Sequence, residues 1–324
     1  MDALSDVLAA VRLTSSAFLD ARLTAPWCIA SQVGREDCGP LGSVPATLIA
    51  YHYIVSGTVF LSIADSPPVP ACGGDIVLLP RNDRHALGSA HGLRPTVIDH
   101  LIQAPGGTRP ATLQFGGGGE ETHVVCGYLG CDVPDNPLVA ALPAIMKLDV
   151  REDAGGEWIG ASFQRAAQEF ATGGMGSTTV LSKLAELLFV EAVRRYLTTL
   201  PAGQTGWLAG LRDRIVGRAL ALLHGQAGRH WTTEELAQQV GLSRSAFAQR
   251  FTALVGMPPM RYLAHWRLQL AAVRLRESPR AIAQIANDVG YESEAAFSRA
   301  FKKAFGVTPG AWRYGNEQAG PAHD

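Results

Sequence analysis

The 324-residue chain contains no run of 18 apolar residues, so no membrane-spanning helix is expected. Its opening residues, Met1-Asp2-Ala3-Leu4-Ser5-Asp6, lack the basic stretch and apolar core of a secretory signal, which predicts a cytoplasmic protein. Cysteine is sparse and odd in number: Cys28, Cys38, Cys72, Cys126 and Cys131. That count in a cytosolic chain argues against a disulfide framework. Cys126 and Cys131, five apart and near His123, match no zinc-binding spacing and read as reduced structural thiols. A phosphate loop is also missing. Gly116 to Gly119 is followed by Glu120-Glu121, not by Lys and Ser/Thr, so the run reads as a flexible loop.

Charge is scarce overall, at 18% of residues with a net of −1, but it is unevenly placed. Residues 208–315 hold 15 Lys and Arg against 7 Asp and Glu, leaving 13 against 22 elsewhere. The basic C-terminal region has the footprint of a surface for nucleic-acid phosphates. The acidic remainder is repelled from such a polyanion, which suits a separate domain held off it. A chain of this length is expected to form two domains.

Within the basic region a single pattern is written twice. The first copy runs Leu236-Ala237, Val240-Gly241-Leu242-Ser243, Phe247, Arg250-Phe251 and Gly256. The second runs Ile285-Ala286, Val289-Gly290-Tyr291, Ser293, Phe297, Ala300-Phe301 and Gly306. Each predicts a helix, a glycine turn and a second helix capped by serine, with phenylalanines four apart facing inward. That is a helix-turn-helix, whose second helix enters the DNA major groove. At 100° per residue, Ser245 and Gln249 point away from Phe247, with Ala248 and Thr252 beside them. Ala295, Arg299 and Lys302 point away from Phe297, with Ser298 and Lys303 on the flanks. Gln pairs bidentately with adenine and Arg with guanine. Arg244, Arg250, Lys302 and Lys303 read as phosphate contacts, which position without specifying. Met260 to Arg276 predicts a linking helix that sets the two readers on one face of the duplex, about one turn apart.

Residues 212–313 resemble the DNA-binding domain of the AraC/XylS family of bacterial transcription regulators. The likeness rests on Trp231-Thr232, Glu235-Leu236-Ala237, Gly241-Leu242-Ser243-Arg244, Tyr262-Leu263, Trp266-Arg267, Val289-Gly290-Tyr291, Phe297-Ser298-Arg299, Pro309 and Trp312-Arg313. It implies base contacts at Ser245, Ala248 and Gln249, and at Ala295, Ser298 and Arg299. It also implies duplex DNA and RNA polymerase as partners, with activation as the outcome.

The N-terminal region reads as short strands broken by Gly and Pro. Thr47 to Ile63 predicts a hairpin turning at Ser56-Gly57, Ile76 to Leu79 a strand, and Val97 to Gln103 and Thr122 to Tyr128 further strands. Residues 3–19 predict a helix, or a helix followed by a strand. The strands suggest a small barrel or jelly roll. Gly74-Asp75, Pro80 and His85 resemble the second cupin motif, and 3–200 resembles the cupin-type sensor found ahead of AraC-type domains. The resemblance implies a small-molecule effector, for which Trp27, His52, Tyr53 and His85 are the candidate pocket residues. The His-x-His pair and glutamate of metal-dependent cupins are missing, so neither a metal nor another cofactor is expected. The rival reading is a cupin metalloenzyme carrying a DNA-binding domain. Thr178 to Leu197 predicts a strongly apolar helix, buried in its own domain or at a homodimer interface.

The expected architecture is therefore α+β in two domains. A cupin-like β-barrel with following helices fills 1–200, and 201–210 is a linker. An all-α domain fills 211–315, its modules at 231–256 and 281–306, and 316–324 is a disordered tail.

Overall fold

A computed structural model describes residues 4–5, 7–8, 13–34, 37, 45, 47–64, 66–103, 111–131, 136–149, 154–201 and 206–314. Cys38, residues 202–205 of the expected linker and the expected tail lie outside these residues. The chain divides into two compact units, one of Leu13–Cys131 with Leu142–Arg195, the other of Tyr196–Asp324 with Met1–Arg12 and Asp132–Ala141.

Among the described residues, the first unit holds ten strands in two sheets. Strands β1 (Leu13–Thr24), β3 (Thr47–Ser56), β6 (Asp75–Leu79), β8 (Ala111–Gly116), β9 (Glu121–Cys131) and β10 (Met146–Asp149) form a six-stranded sheet in the order β10-β6-β3-β9-β1-β8. Strands β2 (Cys28–Ser31), β4 (Thr58–Ser62), β5 (Val69–Cys72) and β7 (His85–Gly88) form the second, in the order β2-β7-β4-β5. The expected closed barrel is thus wrong. Among the described residues no strand ladder joins the sheets, and both remain open. Ser56-Gly57 shows why. It does not turn a hairpin but passes the chain from β3 in one sheet to β4 in the other, so the sheets meet through side chains. Leu19, Ala50, Ile54, Leu79, Val124 and Cys126 of the larger sheet share a core with Ile29, Val59, Leu61 and Leu87 of the smaller.

Strand β9 is the spine of the larger sheet, paired with β1 on one side and β3 on the other. Of its eleven residues, only Glu121 is exposed, because one face meets the smaller sheet and the other is covered. Some of that cover comes from helix α2 (Ala154–Ala171), whose Phe163 ring stands 4.5 Å from the Tyr53 ring and 6.3 Å from that of Tyr51. Residues 4–5 and 7–8 are helical and residues 13–19 are strand, so of the two readings for 3–19 it is the helix followed by a strand that the structure shows. Val97–Gln103 contains a short 3-10 turn at Asp99–Leu101, and the strand comes later, as β8. The glycine run is no loose loop. Gly117 and Gly119 donate to the carbonyls of Thr24 and Ala25, and a Cβ on Gly116 would lie 1.9 Å from the Thr24 oxygen. Only glycine permits that approach.

The second unit is helical. It holds α1 (Pro137–Ala141) and the end of the long α3 (Ser177–Thr199). Then come α4 (Trp207–Arg212), α5 (Arg214–Gly225), α6 (Thr233–Gln239), α7 (Arg244–Val255), α8 (Pro259–Glu277), α9 (Ile282–Asp288), α10 (Glu294–Phe305) and α11 (Pro309–Arg313). The duplicated pattern becomes α6-turn-α7 and α9-turn-α10. Gly241 and Gly290, at φ 74 and 87, take the left-handed conformation that lets Leu242 N donate to Ala237 O and Tyr291 N to Ala286 O. Ser243 and Ser293 then accept from the backbone N–H of Ala246 and Ala296, capping α7 and α10. The two α6 orphans that a cap can serve are met by a reciprocal pair, Thr232 with Glu235.

Phe247, Phe251, Phe297 and Phe301 are fully buried. The linking helix α8 packs on both modules. Its Tyr262 meets Phe251 at 5.8 Å, while Leu268, Ala271, Ala272 and Leu275 join the core of Phe297, Phe301 and Trp312. At 1.5 Å per residue its 19 residues span about 28 Å. No helix among the described residues is long and apolar enough to cross a membrane. Phe301→Ala is expected to destabilise the C-terminal unit by about 3–5 kcal/mol, measured as an earlier denaturant-unfolding transition of that unit.

Candidate nucleic-acid interface and a buried histidine pair

Burying two rings four residues apart fixes how each capped helix is rolled. On α7, Arg244, Ser245 and Gln249 are exposed and Ala248 is partly so. On α10, Ala295, Arg299, Lys302 and Lys303 are exposed and Ser298 is partly so. The predicted base-contact positions therefore lie on the outer face of each helix. Most of the six carry side chains too short to reach far, so Gln249 and Arg299 are the long polar groups there. Lys302 and Lys303 sit in the last turn of α10, a favourable place for cations at the negative end of a helix dipole.

Arg250, predicted to contact phosphate, is engaged by an acidic side chain of its own unit. Its Nη2 lies 2.5 Å from Asp213 Oδ2 and its Nε donates to Asp213 Oδ1 at 3.3 Å. Asp213 also accepts from the N–H groups of Ile215 and Val216, capping α5. Burial opposes ionisation of its carboxyl, but the Arg250 and backbone hydrogen bonds outweigh it and hold the group below the usual carboxylate range. Arg250 thus braces the first recognition helix against α5. Sequence reasoning missed Asp213 because the partner lies 37 residues away; only its capping position before α5 was a local signal.

In the first unit, the four predicted pocket residues do not gather. Trp27, His52 and His85 lie in or beside the space between the sheets, but Tyr53 points to the other face of β3 and packs on Phe163. Adjacent residues of a strand face opposite ways, so His52 and Tyr53 could not share a pocket. The same alternation separates Cys126 from His123 and Cys131 on β9. His123 instead pairs with the buried Asp20 of β1.

His52 and His85 bridge the two sheets, Nε2 to Nε2 at 2.7 Å. His85 Nδ1 is 2.8 Å from the Asp83 carbonyl, which can only accept, so Nδ1 carries the hydrogen. A neutral His85 then accepts at Nε2 from His52, whose Nδ1 accepts from the Cys126 thiol at 3.1 Å. The direction of every bond is set by one backbone carbonyl. Burial and then the neighbouring His85 hold His52 well below the usual histidine range. Burial lowers His85 too, against the opposing pull of the Asp83 carbonyl and charge. Burial, then Asp20 and Asp37, push the Cys126 thiol up to about 12. The chain is therefore neutral and closed, with the indole Nε1 of Trp27 buried without a partner in the same core. Among the described residues no group of three or more His, Cys, Asp or Glu could hold a metal ion.

Both imidazoles titrate lower folded than unfolded, so the unfolded chain binds the extra protons as pH falls below about 6.5. The first unit is expected to melt at progressively lower temperature from pH 7.5 to pH 5. His52→Gln with His85→Gln is expected to flatten that dependence. Calorimetry across the pH series checks it.

Comparison with known proteins bears on both units. A family model described as "Cupin" matches residues 2–198, and one described as "Helix-turn-helix domain" matches residues 236–314. The "HTH-type transcriptional regulator AlkR" of Acinetobacter baylyi is 30% identical over 97% of this chain and 99% of its own. A "Putative AraC-like transcription regulator" of Streptomyces lividans is 44% identical over 146 residues, 45% of this chain, so the match spans about half the length (48%) of that relative. The "RCS-specific HTH-type transcriptional activator RclR" of Escherichia coli is 26% identical over 87% of this chain and 90% of its own.

Proposed function

Because the chain belongs to the AraC family of helix-turn-helix transcription regulators, with a cupin domain in its N-terminal half, we propose that it binds a specific duplex sequence through both of its modules. The observation that carries this reading is the matched roll of α7 and α10. Each buries its phenylalanines and turns its polar and small residues outward. Gln249 and Arg299 read base edges, helped by Ser245, Ala248, Ala295 and Ser298 at close approach. Arg244, Lys302 and Lys303 neutralise phosphates, with the net positive charge of residues 208–315 behind them.

The N-terminal half acts as the sensor. A small molecule entering between the sheets would meet the unpartnered Trp27 indole and the His52–His85 bridge. Binding one arrangement of the protein better than another is enough to shift its DNA affinity. Exposed Val180 and Leu187 on α3, and Trp158 on α2, are the ground for a homodimer. Activation through RNA polymerase is adopted from the family and agrees with the printed name of the Escherichia coli relative.

Selection of bound duplexes from a random pool by the full chain tests the reading. An enriched sequence containing two boxes supports it, and a pool with no enrichment overturns it. Arg299→Ala is expected to weaken binding to the recovered duplex by about 1–3 kcal/mol and to relax one base position. A change confined to the salt dependence would make Arg299 a phosphate contact instead.

A further inference from the structure

The two modules are joined by more than a helix. Arg267 lies on α8 where its packing passes from the first module to the second: before it Tyr262 packs on Phe251 of the first module and Trp266 on His224 of α5, and Leu268, Ala271 and Ala272 just after it belong to the core of the second. Its guanidinium reaches out sideways. Nε donates to the Ala227 carbonyl and Nη2 to that of Arg229, both at 2.8 Å. These two carbonyls flank Gly228, in the segment leading into the first module.

The same guanidinium lies against the turn of the second module. A Cβ on Gly290 would stand 2.6 Å from Arg267 Nη2 and 2.9 Å from the Gly228 oxygen. A Cβ on Gly228 would stand 2.7 Å from the Asp288 oxygen, at the end of α9. So two backbone segments, one before each recognition helix, touch at a pair of glycines, and one forked cation holds the joint. Lysine has no fork to bond two divergent carbonyls while lying flat on a glycine.

We propose that Arg267 is a positioning residue that sets the rotational phase between the two recognition helices, and so the spacing of the two DNA boxes the chain accepts. The proposal rests on the reading of both modules as DNA readers. The physical argument is geometric. One base pair inserted between the boxes rotates the second by about 35° and shifts it by about 3.4 Å. A hinged pair of modules follows that change, whereas a pinned pair does not.

The experiment uses the full chain and the two-box duplex recovered from the random pool, with one or two base pairs added or removed between the boxes. The wild type is expected to lose about tenfold in affinity per base pair, comparable to one lost base contact. Arg267→Ala is expected to bind the native spacing more weakly and to show a flattened spacing profile. Gly228→Ala, which wedges the joint without touching the guanidinium, is expected to flatten or displace it too. If Arg267→Ala does not fold by circular dichroism, Arg267→Lys and Gly228→Ala make the same comparison. A purely structural role would lower stability and leave the profile parallel to the wild type, and parallel profiles overturn the proposal. Selection that returns a single box overturns the two-reader reading itself, a result distinguishable from parallel profiles on a two-box site.

Discussion

Two aromatic rings four residues apart on each recognition helix must leave water, and everything proposed for the C-terminal half depends on that. Phe247 and Phe251, then Phe297 and Phe301, lock the roll of α7 and α10 against α8. With the roll fixed, Gln249 and Arg299 have only the outside to face. The glycine turns and serine caps serve this constraint. They bring each second helix in at an angle that lets its rings reach the core, and satisfy the backbone groups the turn would otherwise leave bare.

Around the rings, the polar groups divide into those turned outward and those consumed by the scaffold. Arg250 is consumed by Asp213 and Arg267 by two carbonyls, while Trp312 donates its indole N–H to Ala272 O inside the second core. Counting cations therefore overstates the surface available to phosphate. The first unit spends its polar groups differently. There a thiol, two imidazoles and a carbonyl form one directed chain across the gap between two sheets. Each member depends on its neighbour's tautomer, so a proton or a ligand that engages one of them disturbs all.

The helical half was legible because its determinants are local. Glycine, serine and phenylalanine at fixed offsets specify turn, cap and roll within a dozen residues. The sheets were not, because a strand does not state its partner. Gly57 looks like a hairpin turn in sequence and proves to be a corner between two sheets. β8 was overlooked beside a glycine run whose task is close contact with Thr24. Tyr53 is different, since strand alternation alone places it opposite His52. Asp213 with Arg250 and Arg267 with Gly290 are pairings across 37 and 23 residues, written in three dimensions only.

Hydroxyl-radical footprinting of the full chain on its selected duplex tests the central claim most directly. Paired readers held at one phase predict two protected patches on the same face of the duplex, about one helical turn apart. A single patch, or two patches on opposite faces, would contradict the account.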